Sequence, residues 1–313
     1  MPKVLIADNI SDVVCEIFDT NNIEYEKKVD LSEDELSAEI KGYDGLLIRS
    51  AVTVTKKIIE SSDNLKVIGR PGVGVDNVDL QASSEKNIVV MNTPLGNVQA
   101  TAELTFGIIH SLMRKIHIAN SSMHNKKWEK KKLIGNELLG KNIAIIGFGN
   151  IGKKVADFAK AYGMNIIVVS ETASSGDVDY LNAKVMKFDD MLSEADIITF
   201  HNKLSEKSKY IINSESLKQM KKNSIVINCA RGGIVNEADM KEALEKEIIS
   251  GYGCDVYEVE PQTDPIFCGM NNVVMTPHIG AGTSEAQEKV AVQIAEQVSD
   301  YLINNNIVNQ VKP

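Results

Sequence analysis

The chain has 313 residues, 43% of them hydrophobic, which exceeds what one hydrophobic core ordinarily holds, so two packed units are expected. Its formal net charge of −9, with both signs spread along the sequence, opposes binding to nucleic acid or an anionic membrane surface, and any anionic ligand must be held by local groups. No apolar run is long enough for a membrane span or a secretory leader, and Cys15, Cys229, Cys254 and Cys268 lack the paired spacing of zinc or redox motifs; a cytoplasmic protein with reduced thiols and no metal is expected.

From the amino terminus, residues 4–7, 45–48, 65–68 and 88–91 are short apolar runs separated by charged stretches of helical period, which predicts a parallel α/β unit. Residues 99–115 read as a helix, with Leu104, Ile108, Leu112 and Ile116 recurring at four-residue steps, and here the chain changes unit. Strands are predicted at 143–146, 166–169, 197–200, 225–228 and 273–275, with 253–256 as a sixth, the number of a full doubly wound sheet. Ser284 followed by Gln287 reads as a capping box before Val290, Ile294, Val298 and Leu302, so a closing helix returns to the first unit. The expected division is 1–96 plus 283–313, a substrate-binding unit, and 97–282, a dinucleotide-binding unit.

The strand at 142–146 runs directly into Gly147-Phe148-Gly149-Asn150-Ile151-Gly152, and 153–162 continues as a helix. In that context Gly147 permits a tight turn, Gly149 lets the backbone approach a pyrophosphate, and Gly152 lets the helix lie on the sheet with its amino end toward the anion. The plain alternative is a glycine-rich turn. The next strand ends on Ser170, with Glu171 one place beyond, where an NAD site carries an acidic residue for the adenosine ribose. No Arg lies between Ser170 and Asp179 to hold a 2′-phosphate, which favours NAD.

Three further segments follow strand candidates: Cys229-Ala230-Arg231-Gly232-Gly233, Asp255-Val256-Tyr257-Glu258-Val259-Glu260-Pro261 and Thr276-Pro277-His278-Ile279-Gly280-Ala281. In this order they resemble the D-isomer-specific 2-hydroxyacid dehydrogenases over nearly the whole chain. The resemblance implies two parallel-sheet α/β domains of Rossmann and flavodoxin type with the active site in the cleft between them, and NAD-dependent oxidation of the CH–OH group of a 2-hydroxy acid. It assigns catalysis to Arg231, Glu260 and His278, and chemistry supports each. A histidine can take the hydroxyl proton near neutral pH, a carboxylate raises its pKa and fixes its tautomer, and Arg can fork onto a carboxylate and carbonyl. Glu258 and Glu260 as solvated loop charges, and Arg231 as an ordinary salt-bridge partner, are the competing readings. His110, His117 and His124 are expected to be packing or surface residues.

For the cofactor the resemblance points to Gly147, Gly149, Asn150, Ile151, Gly152, Ser170, His201, Lys203, Cys229, Ala230, Asp255 and Gly280, Asp255 either bonding the nicotinamide carboxamide or capping a loop. The segments Ile48-Arg49-Ser50, Gly69 to Asn77, Asn92 to Asn97 and Trp128 to Lys132 are most similar to family members acting on a phosphorylated glycerate at the start of serine synthesis. They imply a small phosphorylated 2-hydroxy or 2-oxo acid bound by Arg49, Ser50, Val73, Gly74, Asn97 and Lys130, the last either reaching a partner's cleft or lying on a solvated face. A homodimer through the helix from Gln99 and the arm around Trp128 is implied as well.

Two departures stand beside these matches. Where the family has His-x-Pro-Leu, this chain reads His201-Asn202-Lys203-Leu204; with Ser170, Lys203 either accepts a 2′-phosphate, which keeps NADP open, or points to solvent. The chain ends at Pro313, so no appended regulatory domain and no serine inhibition through one are expected. Rival functions are a hydroxypyruvate or glyoxylate reductase with the same catalytic set, and a dinucleotide-sensing corepressor-like protein.

Overall fold

Short runs of branched aliphatic residues form the central strands of two sheets in the computed structural model, which describes residues 1–313. The chain divides into two compact units, Met1–Val98 with Ala281–Pro313, and Gln99–Gly280.

In the first unit β1 (Lys3–Ile6), β2 (Glu24–Lys27), β3 (Gly45–Leu47), β4 (Val67–Arg70) and β5 (Val89–Asn92) are parallel, in the order β5-β4-β3-β1-β2. The order reverses between β1 and β3, so the loops leaving these two strands part there. Alternate residues feed two cores: Leu5, Leu46, Ile68 and Val90 pack with Leu36, Ile40, Ile58 and Ile59 on one face, and Val4, Ile6, Leu47, Val67 and Met91 with Val14 and Phe18 on the other. The edge strand β2, Glu-Tyr-Glu-Lys, has no apolar signature and was not expected. It is tied down by polar groups, with the Tyr43 hydroxyl donating to Glu26 at 2.9 Å and Lys28 paired to Glu26 at 2.8 Å and to Glu39 at 2.5 Å.

In the second unit β6 (Asn142–Ile146), β7 (Asn165–Val169), β8 (Lys184–Val185), β9 (Ile197–Phe200), β10 (Ile225–Asn228), β11 (Gly251–Cys254) and β12 (Val273–Met275) form one parallel sheet in the order β12-β11-β10-β9-β6-β7-β8. This is the doubly wound arrangement, reversing between β6 and β9. The sixth expected strand is displaced: β11 ends at Cys254, so Asp255 stands one residue beyond it rather than inside 253–256. Its glycines explain the misreading, because a Cβ at Gly253 would meet the Ile108 side chain at 2.2 Å, and the helix Val98–Met113 needs that bare backbone to lie on the strand. That helix also ends two residues before the expected position; Lys115, left-handed at φ 52°, turns the chain into a second helix, Ile116–His124.

The closing helix, Ser284–Asn304, is capped one residue earlier than the sequence pattern suggests. Thr283 is extended and its hydroxyl accepts the Ala286 N–H at 3.1 Å, whereas Ser284 is already helical and the Gln287 amide donates to the Ala281 carbonyl instead. Ala291, Ile294, Ala295 and Val298 complete the core that holds Val4, Ile6 and Phe18. Beyond the helix, β13 (Gln310–Val311) pairs antiparallel with β5. No helix is long and apolar enough to cross a membrane, and all four cysteines are free.

Candidate active site

The carboxyl ends of the central strands of the second unit carry the glycine loop and three turns. At the end of β6, Gly147 is left-handed at φ 91°, and a Cβ there would meet the backbone nitrogen of Asn202 at 2.6 Å. A Cβ at Gly152 would strike the Gly147 carbonyl at 2.1 Å. These two glycines are demanded by the chain's own packing. Gly149 differs, because a Cβ there would meet nothing within 4 Å. It caps the helix Asn150–Ala161, whose first turn has neither a side-chain cap nor an acidic residue, so its amide donors have no internal anion.

Beside this loop the Ser170 hydroxyl accepts the N–H groups of Thr172 and Ala173, both at 3.2 Å, and Glu171 pairs with Lys207 at 2.7 Å. Lys203 is exposed. The His201 ring contacts the Thr199 hydroxyl through Nε2 at 3.0 Å, while its Nδ1 and the Asn202 Oδ1 are buried without partners. Burial pushes the His201 pKa down to about 3, so its ring is neutral.

Three turns converge after β10, β11 and β12. Asn228, at the end of β10, accepts the Ala230 N–H at 3.1 Å and donates to the Arg231 carbonyl at 2.8 Å, an Asx turn that aims Arg231. At Gly232 a Cβ would lie 1.7 Å from the Tyr257 carbonyl, so the Arg231 turn rests backbone to backbone on the loop after β11. In that loop one Glu260 oxygen accepts the Tyr257 N–H at 2.9 Å and the other meets His278 Nδ1 at 2.5 Å. The Glu260 contact holds the His278 pKa above its ordinary value against burial. Burial acts to raise the Glu260 pKa, but His278, the Tyr257 amide and the Arg231 charge together bring it below the usual carboxylate range. Glu260 is therefore an acceptor only, so the Nδ1 proton of His278 points to it and Nε2 remains the nitrogen that can take up or release a proton.

Asp255 is engaged with its own chain. Its oxygens accept the Thr276 hydroxyl at 2.6 Å and the amides of Ile279 and Gly280, each at 2.7 Å, and the residue is 1% exposed. It caps the loop that carries His278, which adopts φ 54°, a conformation uncommon outside glycine and asparagine. Cys229 is buried, and burial pushes its thiol up to about 12, far from a reactive thiolate.

In the first unit Arg49 and Ser50 follow β3, where Asp8 accepts the Arg49 and Ala51 amides at 2.9 and 3.1 Å. Asn77 donates to the Arg49 carbonyl at 2.6 Å and accepts from Arg70 at 2.9 Å. Gly72, Val73 and Gly74 form the turn after β4, where Asn92 donates to the Val73 carbonyl at 2.6 Å. Asn97 has a buried, unpartnered Oδ1. Lys130 is exposed in a short 3₁₀ turn of the second unit. Sequence reading missed the residues that organise these turns: Asp8, Asn77, Asn228 and the backbone of Tyr257. Only Asn228, the last residue of a strand and two residues before Ala230-Arg231-Gly232, carried a usable signal.

Residues 106–280 match the family model described as D-isomer specific 2-hydroxyacid dehydrogenase, NAD binding domain. The chain belongs to that family. It is 40% identical over 303 residues to a D-3-phosphoglycerate dehydrogenase of Synechocystis sp., covering 97% of this chain and 54% of the relative. It is 44% identical over 275 residues to a hydroxypyruvate reductase of Thermotoga maritima, covering 86% of this chain and 88% of the relative. The chain thus spans about half the length of the phosphoglycerate dehydrogenase it matches. A crystal structure of a Thermus thermophilus protein superposes with a TM-score of 0.91 at 29% identity, covering 99% of both chains. The family's NAD-binding domain fits the residues present: the open space over Gly149 and the uncapped helix start suit a pyrophosphate, and no protein group competes for it.

Proposed function

We propose that the chain is a D-3-phosphoglycerate dehydrogenase, interconverting 3-phosphoglycerate and 3-phosphohydroxypyruvate with NAD. The Glu260–His278 pair at 2.5 Å beside the Arg231 turn, a proton acceptor of raised pKa next to a guanidinium, carries the 2-hydroxyacid dehydrogenase chemistry, and the 40% identity over 97% of the chain to a D-3-phosphoglycerate dehydrogenase supports the phosphorylated substrate. In oxidation His278 Nε2 takes the proton of the C2 hydroxyl, and Glu260 stabilises the imidazolium that forms. In reduction the same nitrogen returns that proton to the C2 oxygen. Arg231 holds the substrate carboxylate and polarises the C2 oxygen. The nicotinamide, when bound, supplies the two-electron acceptor or donor for C2.

The amides of Asn150, Ile151 and Gly152 would hold the pyrophosphate, with Ser170 and Glu171 at the adenosine ribose. Glu171 repels a 2′-phosphate there, and its pairing with Lys207 keeps that lysine from recruiting one, which supports NAD over NADP. Arg49, Ser50, the Val73 and Gly74 amides, Asn97 and Lys130 are the proposed holders of the substrate's carboxylate and phosphate. A homodimer is proposed through the second unit, supported by Trp128 standing 79% exposed on the arm.

Hydroxypyruvate reduction is the second reading, favoured by the 44% identity to a relative whose length is nearly covered. A panel of 2-oxo acids with and without a 3-phosphate, assayed with NADH and NADPH, separates the two. Arg49→Ala is expected to lower kcat/KM for phosphohydroxypyruvate at least tenfold more than for hydroxypyruvate, roughly the effect of losing a charge-assisted contact. An equal loss on both substrates assigns the chain to the unphosphorylated acid.

A further inference from the structure

The loop that carries Glu260 is held from outside by a second carboxylate. Glu237 occupies the first helical position of Glu237–Glu245, after the cap residue Asn236, and its Oε1 accepts the backbone N–H of Glu258 at 2.9 Å. Glu258 returns the contact, its Oε1 accepting the backbone N–H of Glu237 at 3.0 Å, one of the helix's otherwise unpaired amides. The Tyr210 hydroxyl donates to the other Glu258 oxygen at 3.2 Å. Two neighbouring amides of one loop, Tyr257 and Glu258, are thus each taken by a carboxylate, the first by Glu260 and the second by Glu237. The loop has its opposite support at Gly232, where the Tyr257 carbonyl leaves no room for a Cβ.

Two glutamates facing each other repel, and burial together with the nearby Glu258 charge raises the Glu237 pKa. An unfavourable like-charge pair held by reciprocal backbone bonds is stable only because each carboxylate satisfies an amide that would otherwise lack a partner. The consequence reaches His278, because the same Glu260 carboxylate takes the Tyr257 amide with one oxygen and His278 Nδ1 with the other.

We propose that Glu237 is a positioning residue: its carboxylate, fixed at the start of a helix, clamps the Tyr257–Glu260 segment by the Glu258 amide and so sets the contact between Glu260 and His278. The inference rests on the function proposed above for Glu260 and His278, but its test does not need turnover. The imidazole of His278 is titrated by NMR in the full chain, its signal assigned with a His278→Asn variant, and kcat/KM for 2-oxo acid reduction is followed against pH alongside. Glu237→Ala, and Glu237→Asp, which keeps the charge at the helix start and shortens its reach by one methylene, are expected to lower the His278 pKa by about half a unit or more as the Glu260 contact loosens. Both should move the alkaline limb of the reduction profile the same way, with KM for NADH unchanged. Glu237→Gln retains an acceptor oxygen and is expected to leave both quantities at their original values. An unshifted His278 titration in folded Glu237→Ala or Glu237→Asp overturns the clamp, as does an equal shift in Glu237→Gln; should the alanine variant fail to fold, the aspartate variant decides. A shifted titration in a protein that reduces no 2-oxo acid upholds the clamp and refutes the proposed reaction instead.

Discussion

Glu260→Gln removes the charge and one of the two acceptors: with the amide oxygen turned to His278 Nδ1, the NH2 group faces the Tyr257 N–H and that hydrogen bond is lost. Toward His278, what is lost is the charge assistance. A hydrogen bond to a charged group contributes about 1.5–3 kcal/mol and a neutral one about 0.5–1.5, a difference of about 1–1.5 kcal/mol in a dry site. The His278 side chain is 52% exposed and that of Glu260 33%, so solvent screening reduces the difference to about 1 kcal/mol, roughly a factor of five in favour of the imidazolium. Reduction of a 2-oxo acid needs the protonated ring. Above the His278 pKa, kcat/KM for reduction should therefore fall about fivefold further than at the acid plateau, where both proteins carry imidazolium and only the pH-independent loss of the Tyr257 bond remains. The assay is steady-state NADH oxidation from about pH 5 to about pH 9 at constant ionic strength. A loss of equal size at every pH would refute the reasoning, since it would mean that the carboxylate acts through geometry alone.

Three further outcomes follow from the same geometry. Gly147→Ala and Gly152→Ala force a Cβ to 2.6 Å and 2.1 Å from backbone atoms, so both should lower Tm by several degrees. Gly149→Ala, with nothing of the protein near its Cβ, should keep Tm within about one degree yet weaken NADH binding at least tenfold by fluorescence titration; unchanged binding would remove the pyrophosphate from that loop. The raised His278 pKa stabilises the fold fully below its ordinary value of 6.5 and less as pH rises through the folded value. The lowered Glu260 pKa stabilises fully above its ordinary value of 4.5 and less as pH falls, so the Tm difference between the native chain and His278→Asn should be largest between those two values. A flat difference across that range would show the pair to be energetically silent.

The central strands could be read from the sequence because burial on both faces makes each an unbroken aliphatic run, as in Ile143 to Ile146 and Ile225 to Ile227. Of the four edges only β12, Val-Val-Met, could be read. β2, β8 and β13 have few neighbours to bury against and are written in Glu, Lys, Gln and single Val or Tyr residues, which look like loop. In the site, the glycine loop stood out because the chain's own packing demands Gly147 and Gly152, and the Arg231, Glu260 and His278 segments stood out by resemblance; the folded chain brings Glu260 and His278 into contact. The supporting groups Glu237 and Asp8 did not, because they act on backbone amides that are distant in sequence, and any loop acid looks alike until the chain is folded. Asp255 is the instructive residue: the sequence left it as either a nicotinamide contact or a loop cap, and its three internal hydrogen bonds support the cap.

The first unit is assembled from both ends of the polypeptide, and this orders events during synthesis. Its opening sheet emerges first, but one face stays only partly covered, by Val14 and Phe18, until Ala291, Ile294, Ala295 and Val298 arrive nearly two hundred residues later. The continuous stretch Gln99–Gly280 has every strand of its own sheet in hand before then and can close while its predecessor waits. A nascent chain halted before residue 284 should accordingly present a protease-resistant second half and a cleavable amino-terminal one, so the part made first is finished last.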